Sequence, residues 1–547
     1  MWYEIFKFEL KYRARRPETY LFFVLLFAFS IFGVDFIFQG VELGLVKNNA
    51  PIVIGKTMGA ISGVFMILVS MIMGMPMIRD DQYQITHLVY TNPIRKFDLL
   101  LGRFLGSFLV LIIIFGGVPL GMMVGELLPW HLDIEMLPFC IAPYANSFSI
   151  IVLPILFFGA ALFFVTGTLS RRLLVVYTQG IVFFVIFILT KAITHDYLQA
   201  VVDPFSLTTI TQISLDWTVV EKNELLLPFS GVLLANKMLW VVLGILVMWI
   251  GYSRFNFSII GTSGKSAGSK VKSEPSHKIV DIVLPSVETH YGLRPALNQF
   301  FKLSIFYCKS LLKETSFWAI VICGVIIILI NSISLGTVYG VDSYPTTYLI
   351  VEELQEMSLY FFIIILLFYS GELYWKEHGV QMNLLNDATP ISSLIILSGK
   401  LVGLIGVYIV LSVALILSGI AFQLIKGYYF FDLPVYFSGF FIEILPFLVI
   451  YTFAAFYIQA LVNNKFLGIL ITLIFLMSTI VLQTMGYDHV LFNYGGGGLQ
   501  PYSEMNGYGR SMAPYLWTKF YWFFFGLLIL VLAALISARG VDVKLMH

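Results

Sequence analysis

The chain has 547 residues, of which 59% are apolar and 12% charged, with a formal net charge of +1 and a mean hydropathy of +0.89. A soluble domain carries about 25% charged residues, so this composition excludes a soluble protein, and the net charge of +1 gives no sign of a nucleic-acid partner. Three cysteines (Cys140, Cys308 and Cys323) are too few and too scattered for a disulfide framework or a thiolate metal site.

The first predicted element is an amphipathic helix over 2–16. There Trp2, Tyr3, Ile5, Phe6, Phe8 and Leu10 alternate with Glu4, Lys7, Glu9 and Lys11, the make-up of a helix lying in a membrane interface. It runs through Glu18-Thr19 into a full-length apolar stretch with no cleavable signal pattern, and so into a retained first span. A span needs roughly 20 apolar residues. Runs of that kind lie at 19–38, 53–78, 101–125, 146–169, 173–193 and 231–252, and again at 316–334, 348–371, 395–423, 437–461, 465–484 and 514–536. The second set is preceded by another amphipathic stretch, 299–313, entering its first span through Glu314-Thr315.

Positive charge collects on the cytoplasmic side of a bilayer. With the N-terminus inside, 25 of the 33 Lys and Arg fall in inner loops or at inner span ends, among them Arg13, Arg79, Arg103, Arg171, Lys376, Lys400 and Lys465. That places both termini in the cytoplasm and requires an even number of spans.

The two sets of spans are related. At a shift of 297 residues Gly74 meets Gly371, Arg79-Asp80 meets Lys376-Glu377, Pro93 meets Pro390, Gly102-Arg103 meets Gly399-Lys400, and Pro204-Phe205-Ser206 meets Pro501-Tyr502-Ser503. Leu153-Pro154 meets Leu445-Pro446 at 292, and Lys237 and Trp240 meet Lys519 and Trp522 at 282. Apolar composition alone does not align prolines, glycines and charges. The expected fold is therefore an all-α polytopic membrane protein with about twelve transmembrane helices in two tandem parallel six-helix repeats, plus interfacial amphipathic helices. The repeats are 1–253 and 297–547, joined by a Gly/Ser-rich cytoplasmic linker, 254–296.

The inner stretch 79–100 carries Arg79, Asp80, Asp81, Tyr83, Tyr90, Asn92 and Pro93, with Ile85, Leu88 and Val89 at helical spacing. Its counterpart carries Glu372, Lys376, Glu377, Asp387, Thr389 and Pro390. A short amphipathic helix ended by proline is predicted in each: either a solvated loop helix or a docking element for a cytoplasmic protein, and its occurrence in both halves favours docking. Ionisable residues inside spans are few, with Asp35 and Glu443 standing out and Glu126, Lys191 and Lys237 near span ends. Gly264-Lys265-Ser266 lacks the upstream glycine of a phosphate-binding loop and reads as linker. His131 and His195 read as loop histidines, and no zinc motif is present.

Taken with the basic N-terminal helix, the loop from Gly371-Glu372-Leu373-Tyr374-Trp375-Lys376-Glu377 to Gly399-Lys400, and the outer segments Asp203-Pro204-Phe205, Trp217-Thr218 and Pro501-Tyr502-Ser503-Glu504-Met505-Asn506, the chain resembles a fused, two-repeat ABC-2-type exporter permease. It is similar to bacterial permeases that in some relatives are fused to a zinc aminopeptidase, without the peptidase. The resemblance implies a permease in the bacterial inner membrane that is not itself an enzyme. Two copies of a separate cytoplasmic ABC ATPase would bind ATP and Mg, and this chain would carry no cofactor. It implies coupling through the two inner loops named above. It also implies an outer gate built from Asp203, Pro204, Phe205, Trp217, Pro501, Tyr502, Glu504 and Asn506, with an accessory extracytoplasmic protein as a further expected partner. Two other classes stay open: a secondary transporter of the major facilitator type, opposed by the long amphipathic loop and the sparse intramembrane charge, and a non-transporting membrane scaffold.

Overall fold

The computed structural model describes residues 1–32, 46–83, 85–128, 136–171, 195–257, 292–334, 344–379, 382–389, 391–462, 464–484 and 489–537, with parts of 172–194 and 335–343. Asp35, His131, Lys191, Pro390, the Gly264-Lys265-Ser266 stretch and most of the predicted linker lie outside the described residues.

Helix α1 is Trp2–Ala14 and α2 is Pro17–Phe32, with Pro17 at the first helical position, where its missing N–H costs nothing. Next come α3 (Pro51–Val64), α4 (Met66–Gln82), α5 (Thr86–Thr91), α6 (Lys96–Phe115) and α7 (Gly117–Leu127). Helix α8 runs Ala142–Ser170 and contains a π-helical stretch at Phe148–Val152, directly before Leu153-Pro154. Three short helices, α9 (Asp196–Val202), α10 (Leu207–Ile213) and α11 (Val219–Glu224), lead to α12 (Gly231–Arg254). The series then continues with α13 (Leu293–Leu312), α14 (Thr315–Ser334), α15 (Thr347–Gly379), α16 (Asn383–Asp387) and α17 (Ser393–Ile425). Helix α18 runs Leu433–Val462 with a π-helical stretch at Ser438–Ile444, before Leu445-Pro446. Helices α19 (Lys465–Thr484) and α20 (Met512–Ile536) complete the described chain. Apart from helices there is a two-residue antiparallel pair, Thr337–Val338 with Val341–Asp342.

Seven helices among the described residues are long and apolar enough to cross a membrane: Lys96–Leu127, α8, α12, Thr347–His378, α17, α18 and Gly509–Ile536. The pair α3–α4, bent by 51° at its junction, has the length and apolarity of an eighth when its two parts are taken as one span. This is the make-up of a membrane-embedded helical protein. Three more expected spans fall on shorter apolar helices, Pro17–Ile31, Thr315–Ile326 and Lys465–Thr479. The expected span 173–193 is only partly described. Helices α12 and α20 turn Trp249, Ile245, Leu528 and Leu535 outward, an apolar exterior that only lipid would leave unpenalised.

Glycines set how closely the helices approach. A Cβ on Gly102 of α6 would lie 2.7 Å from the Trp2 carbonyl, and one on Gly106 2.8 Å from Glu9 Cβ, so α1 rests backbone to backbone on α6. Helix α13 rests likewise on α17, where a Cβ on Gly403 would lie 2.8 Å from Tyr307 Cβ. These contacts gather α1, α13, the C-terminal ends of α4 and α15 and the N-terminal ends of α6 and α17 at one arginine- and lysine-rich end of the molecule.

Prolines inside helices leave carbonyls without donors, and other helices supply them. Pro76 has no N–H for the carbonyl of Ile72, and Arg13 of α1 donates to that oxygen at 2.9 Å. Pro446 has no N–H for the carbonyl of Ile442, and the Tyr515 hydroxyl of α20 donates to that oxygen at 2.8 Å.

Candidate functional site

The first cluster is built at the basic end. Glu9 of α1 accepts from Arg13 at 2.9 Å and from Arg79 of α4 at 3.0 Å. Arg13 also donates to Ser107 of α6 at 3.1 Å, and the Arg79 guanidinium lies 4.1 Å from the centre of the Tyr12 ring. Burial pushes the Glu9 carboxyl up, but the Arg13 and Arg79 guanidiniums outweigh it and hold the group below its ordinary 4.5. One turn away, Arg103 of α6 pairs with Asp80 at 2.6 Å and donates to the Pro76 carbonyl at 2.7 Å. Buried charges survive only when paired and hydrogen-bonded, and this set meets that condition across three helices.

The loop helix α5 is tied to this cluster. Thr86 donates to Asp81 at 2.5 Å, and Arg171, at the end of α8, reaches Asp81 at 3.5 Å and donates to the Tyr90 hydroxyl at 3.1 Å. The Tyr90 ring meets Phe257, just past α12, edge on at 5.1 Å. Beneath is a rigid seat. Outward, Leu88 is 67% exposed, with Tyr83, Ile85, Asn92 and Pro93 also exposed. Arg79 and Asp80 are buried, so they support the loop from below.

A matching cluster stands 297 residues on. Lys400 of α17 pairs with Glu377 of α15 at 2.5 Å and donates to the Tyr374 carbonyl at 3.2 Å. Tyr307 of α13 donates to the other Glu377 oxygen at 2.7 Å. Burial, followed by the Glu377 charge, pushes the Tyr307 phenol up. Lys376 donates to Ser310, and Glu372 pairs with Lys465. The helix α16 above this set exposes Leu384 and Leu385, the latter at 64%. Asp387 and Thr389 are half-buried at its end.

The two halves meet beside these clusters. Asn464, before α19, donates to Glu18 of α2 at 2.5 Å. A cavity of about 310 Å³ opens there between Arg16, Arg79 and Tyr83 on one side and Asn464, Lys465 and Phe466 on the other.

At the opposite end the predicted gate residues divide. Asp203 is buried: one carboxylate oxygen accepts from the Phe205 N–H at 2.9 Å, and the other accepts from the N–H and hydroxyl of Thr208. Asn236 of α12 donates to the carbonyls of Ala200, Val201 and Asp203, and Lys237 donates to Ser206, which takes a left-handed φ of 60°. Pro204 and Phe205 are buried against α3, and Trp217 is half-buried. This segment is a plug fixed by hydrogen bonds. In the second half Pro501, Glu504 and Asn506 are exposed and Tyr502 half-buried. There a cavity of about 480 Å³ separates the loop from α15 and α18.

Sequence reading missed Glu9, Arg13, Arg171, Asn236, Tyr307 and Gln459 as parts of these assemblies. The pairing of Arg79-Asp80 with Gly102-Arg103 was visible as matched charges. The contributions of α1 and α13 were not, because a Glu on an amphipathic helix reads as solvated until a partner helix covers it. Gln459 accepts from Trp375 at 2.8 Å in the middle of an otherwise apolar run. Glu443, expected to weaken its span, is accommodated by a hydrogen bond from Gln355 at 2.9 Å. No protein-family model matches the chain, and no curated protein matches it either.

Proposed function

We propose that the chain is the membrane permease of an ATP-driven exporter of the ABC-2 type, in the bacterial inner membrane. In this reading it comprises two parallel six-span repeats, 1–253 and 297–547, with the linker and both termini in the cytoplasm, and transports between its halves. A separate cytoplasmic ABC ATPase, two copies per chain, binds ATP and Mg and supplies the energy, so the chain itself is not an enzyme.

One observation supports this reading most. Short helices α5 and α16 each present exposed leucines, Leu88 and Leu384-Leu385, on a buried ion pair, Arg103–Asp80 or Lys400–Glu377. The two pairs are related by the 297-residue shift. An apolar knob on a rigid, charged seat is what a motor needs to push. Force on Leu88 passes through Asp81 and Arg171 into α8, and through Asp80 and Arg103 into α6. The inter-half hydrogen bond between Asn464 and Glu18 sits where rocking of one half against the other would open or close a path.

Purification in mild detergent with identification of the co-purifying chains tests this. The expected result is an ABC ATPase at two copies per permease. One ATPase per permease, or no ATPase together with transport driven by an ion gradient, overturns it, the latter in favour of a secondary transporter.

A further inference from the structure

The two halves differ at the end opposite the basic clusters, and the difference sits at two positions. At the 297-residue shift Glu352 and Glu356 of α15 stand where α3 has Gly55 and Gly59. In the first half those glycines receive the outer segment. A Cβ on Gly55 would lie 2.6 Å from Leu227 Cδ1, and one on Gly59 would lie 2.4 Å from the Phe205 carbonyl oxygen. At Gly59, where the neighbour is backbone, only a residue without a side chain permits that seating. In the second half two carboxylates occupy the same helix face and both are exposed. The matched segment Pro501-Tyr502-Ser503 does not close on α15, and the cavity of about 480 Å³ is what remains.

We propose that this cavity binds a lipophilic organic cation. Its charge comes from Glu352, Glu356 and Glu443, opposed by the single ammonium of Lys519. That ammonium is directed into the glycine loop, where it donates to the carbonyls of Gly495 at 2.7 Å and Gly496 at 3.3 Å. Gln355 holds Glu443 in place, donating to its carboxylate and to the Gly439 carbonyl at 2.9 Å each. Four tyrosines, Tyr348, Tyr502, Tyr508 and Tyr515, line the same space; the Tyr515 ring lies 5.1 Å from the Lys519 ammonium, which leaves the other three as aromatic partners for a cation. The Tyr502 and Tyr508 rings stand edge to face at 5.3 Å, and the Tyr508 hydroxyl shares a hydrogen bond with Ser438 at 3.2 Å, so this aromatic corner is fixed. Val351, Val435, Ile444 and Phe447 supply the apolar wall.

The volume lies within the range of about 300–1,000 Å³ typical of pockets for organic molecules. A bare metal ion fits less well, because among the described residues no three acidic, histidine or cysteine side chains converge closely enough to hold one. Carboxylates spread around an aromatic, apolar space match a cation whose charge is carried on a large hydrophobic body. Binding needs no motor, so the inference stands whether or not the exporter reading does.

The test is equilibrium binding of tetraphenylphosphonium to the purified full chain in lipid nanodiscs, corrected for empty discs. Tetraphenylborate, of the same shape and opposite charge, serves as control. The expected result is saturable binding of the phosphonium that the borate does not compete for. The isosteric variants Glu443→Gln and Glu352→Gln/Glu356→Gln each weaken binding by about tenfold, the size of one partly desolvated charge contact. Glu352→Gly/Glu356→Gly, which places the first half's residues in the second, abolishes it. Absence of saturable binding, equal binding of both ions, or affinity unchanged in both glutamine variants overturns the proposal. The glutamine variants keep all helical side chains in place, so the test does not depend on the glycine variant folding.

Discussion

Arg103 Nη2 lies 2.6 Å from Asp80 Oδ2, and each side chain is less than a tenth exposed. The two sit on different helices, α6 and α4, and the arginine also serves the carbonyl of Pro76. Removing one partner strands the other charge away from water. Asp80→Asn and Arg103→Met are each expected to destabilise the chain by about 3–5 kcal/mol. The double variant Asp80→Leu/Arg103→Met should recover part of that loss, because no charge is then left unpaired. Thermal unfolding in detergent reads this out; additive single-variant losses would refute the coupling.

Glu9 gives the basic end an acid limit. Its carboxyl is held below 4.5 in the folded protein by Arg13 and Arg79. A group with a depressed folded pKa contributes stability that is fully present above its unfolded value and lost as pH falls through its folded value. The contribution of this cluster should therefore be constant from neutrality down to about pH 5 and should fall away in the window beginning near 4.5 and extending below it. In Glu9→Gln the chain should start less stable at pH 7 and lose less on acidification. Unfolding midpoints against pH measure both effects, and parallel curves for the two proteins would contradict the assignment.

The proline-freed carbonyl in α18 makes a non-additive prediction. Tyr515→Phe removes the hydroxyl that donates to the Ile442 oxygen, at an expected cost of about 1 kcal/mol for a lost hydrogen bond. Pro446→Ala restores a backbone N–H that can reach the same oxygen. The loss from Tyr515→Phe should shrink in the Pro446→Ala background. A double-mutant cycle with zero interaction energy would show that Tyr515 acts by packing alone.

The exposed leucines of α5 and α16 separate docking from folding. Leu88→Glu and Leu385→Glu change side chains that are 67% and 64% exposed. Each should shift stability by no more than about 0.5 kcal/mol. Each should also reduce capture of the proposed ATPase partner, with the pair together reducing it more than either alone. Pull-down from membranes at matched expression decides it; undiminished capture by the double variant would remove these helices from the interface.

What was legible in the sequence divides along physical lines. Long apolar runs announce α6, α8, α12, α17 and α20 because a bilayer demands length and apolarity, both properties of composition. The charges Arg79, Asp80, Arg103, Glu377 and Lys400 were legible as a matched set because apolar composition alone does not align charges at one constant shift. The plug at Asp203 was not readable as such. Proline and aspartate in an outer segment suggest a flexible gate, whereas Asp203 is consumed by Phe205 and Thr208, and Asn236 clamps three carbonyls. The signal was present in Gly55, Gly59 and Gly63, whose four-residue spacing marks a close-contact face. Pairing between distant helices, such as Arg13 with the Ile72 carbonyl, is invisible to any local pattern, since it joins residues 59 apart.

The seating of α1 also has a consequence for biosynthesis. Glu9 leaves the ribosome with only Arg13, one helical turn away, as a partner; Arg79 follows 70 residues later and Ser107 98 residues later. Gly102 and Gly106, the surface on which α1 comes to rest, emerge in that same later interval. Docking of the first helix must wait until the third expected span has been threaded into the bilayer. Through that interval α1 is an undocked amphipathic segment, open to whatever factor handles nascent chains at the membrane surface. Helix α1 is fixed in place only after one hairpin and the start of a third span have followed it.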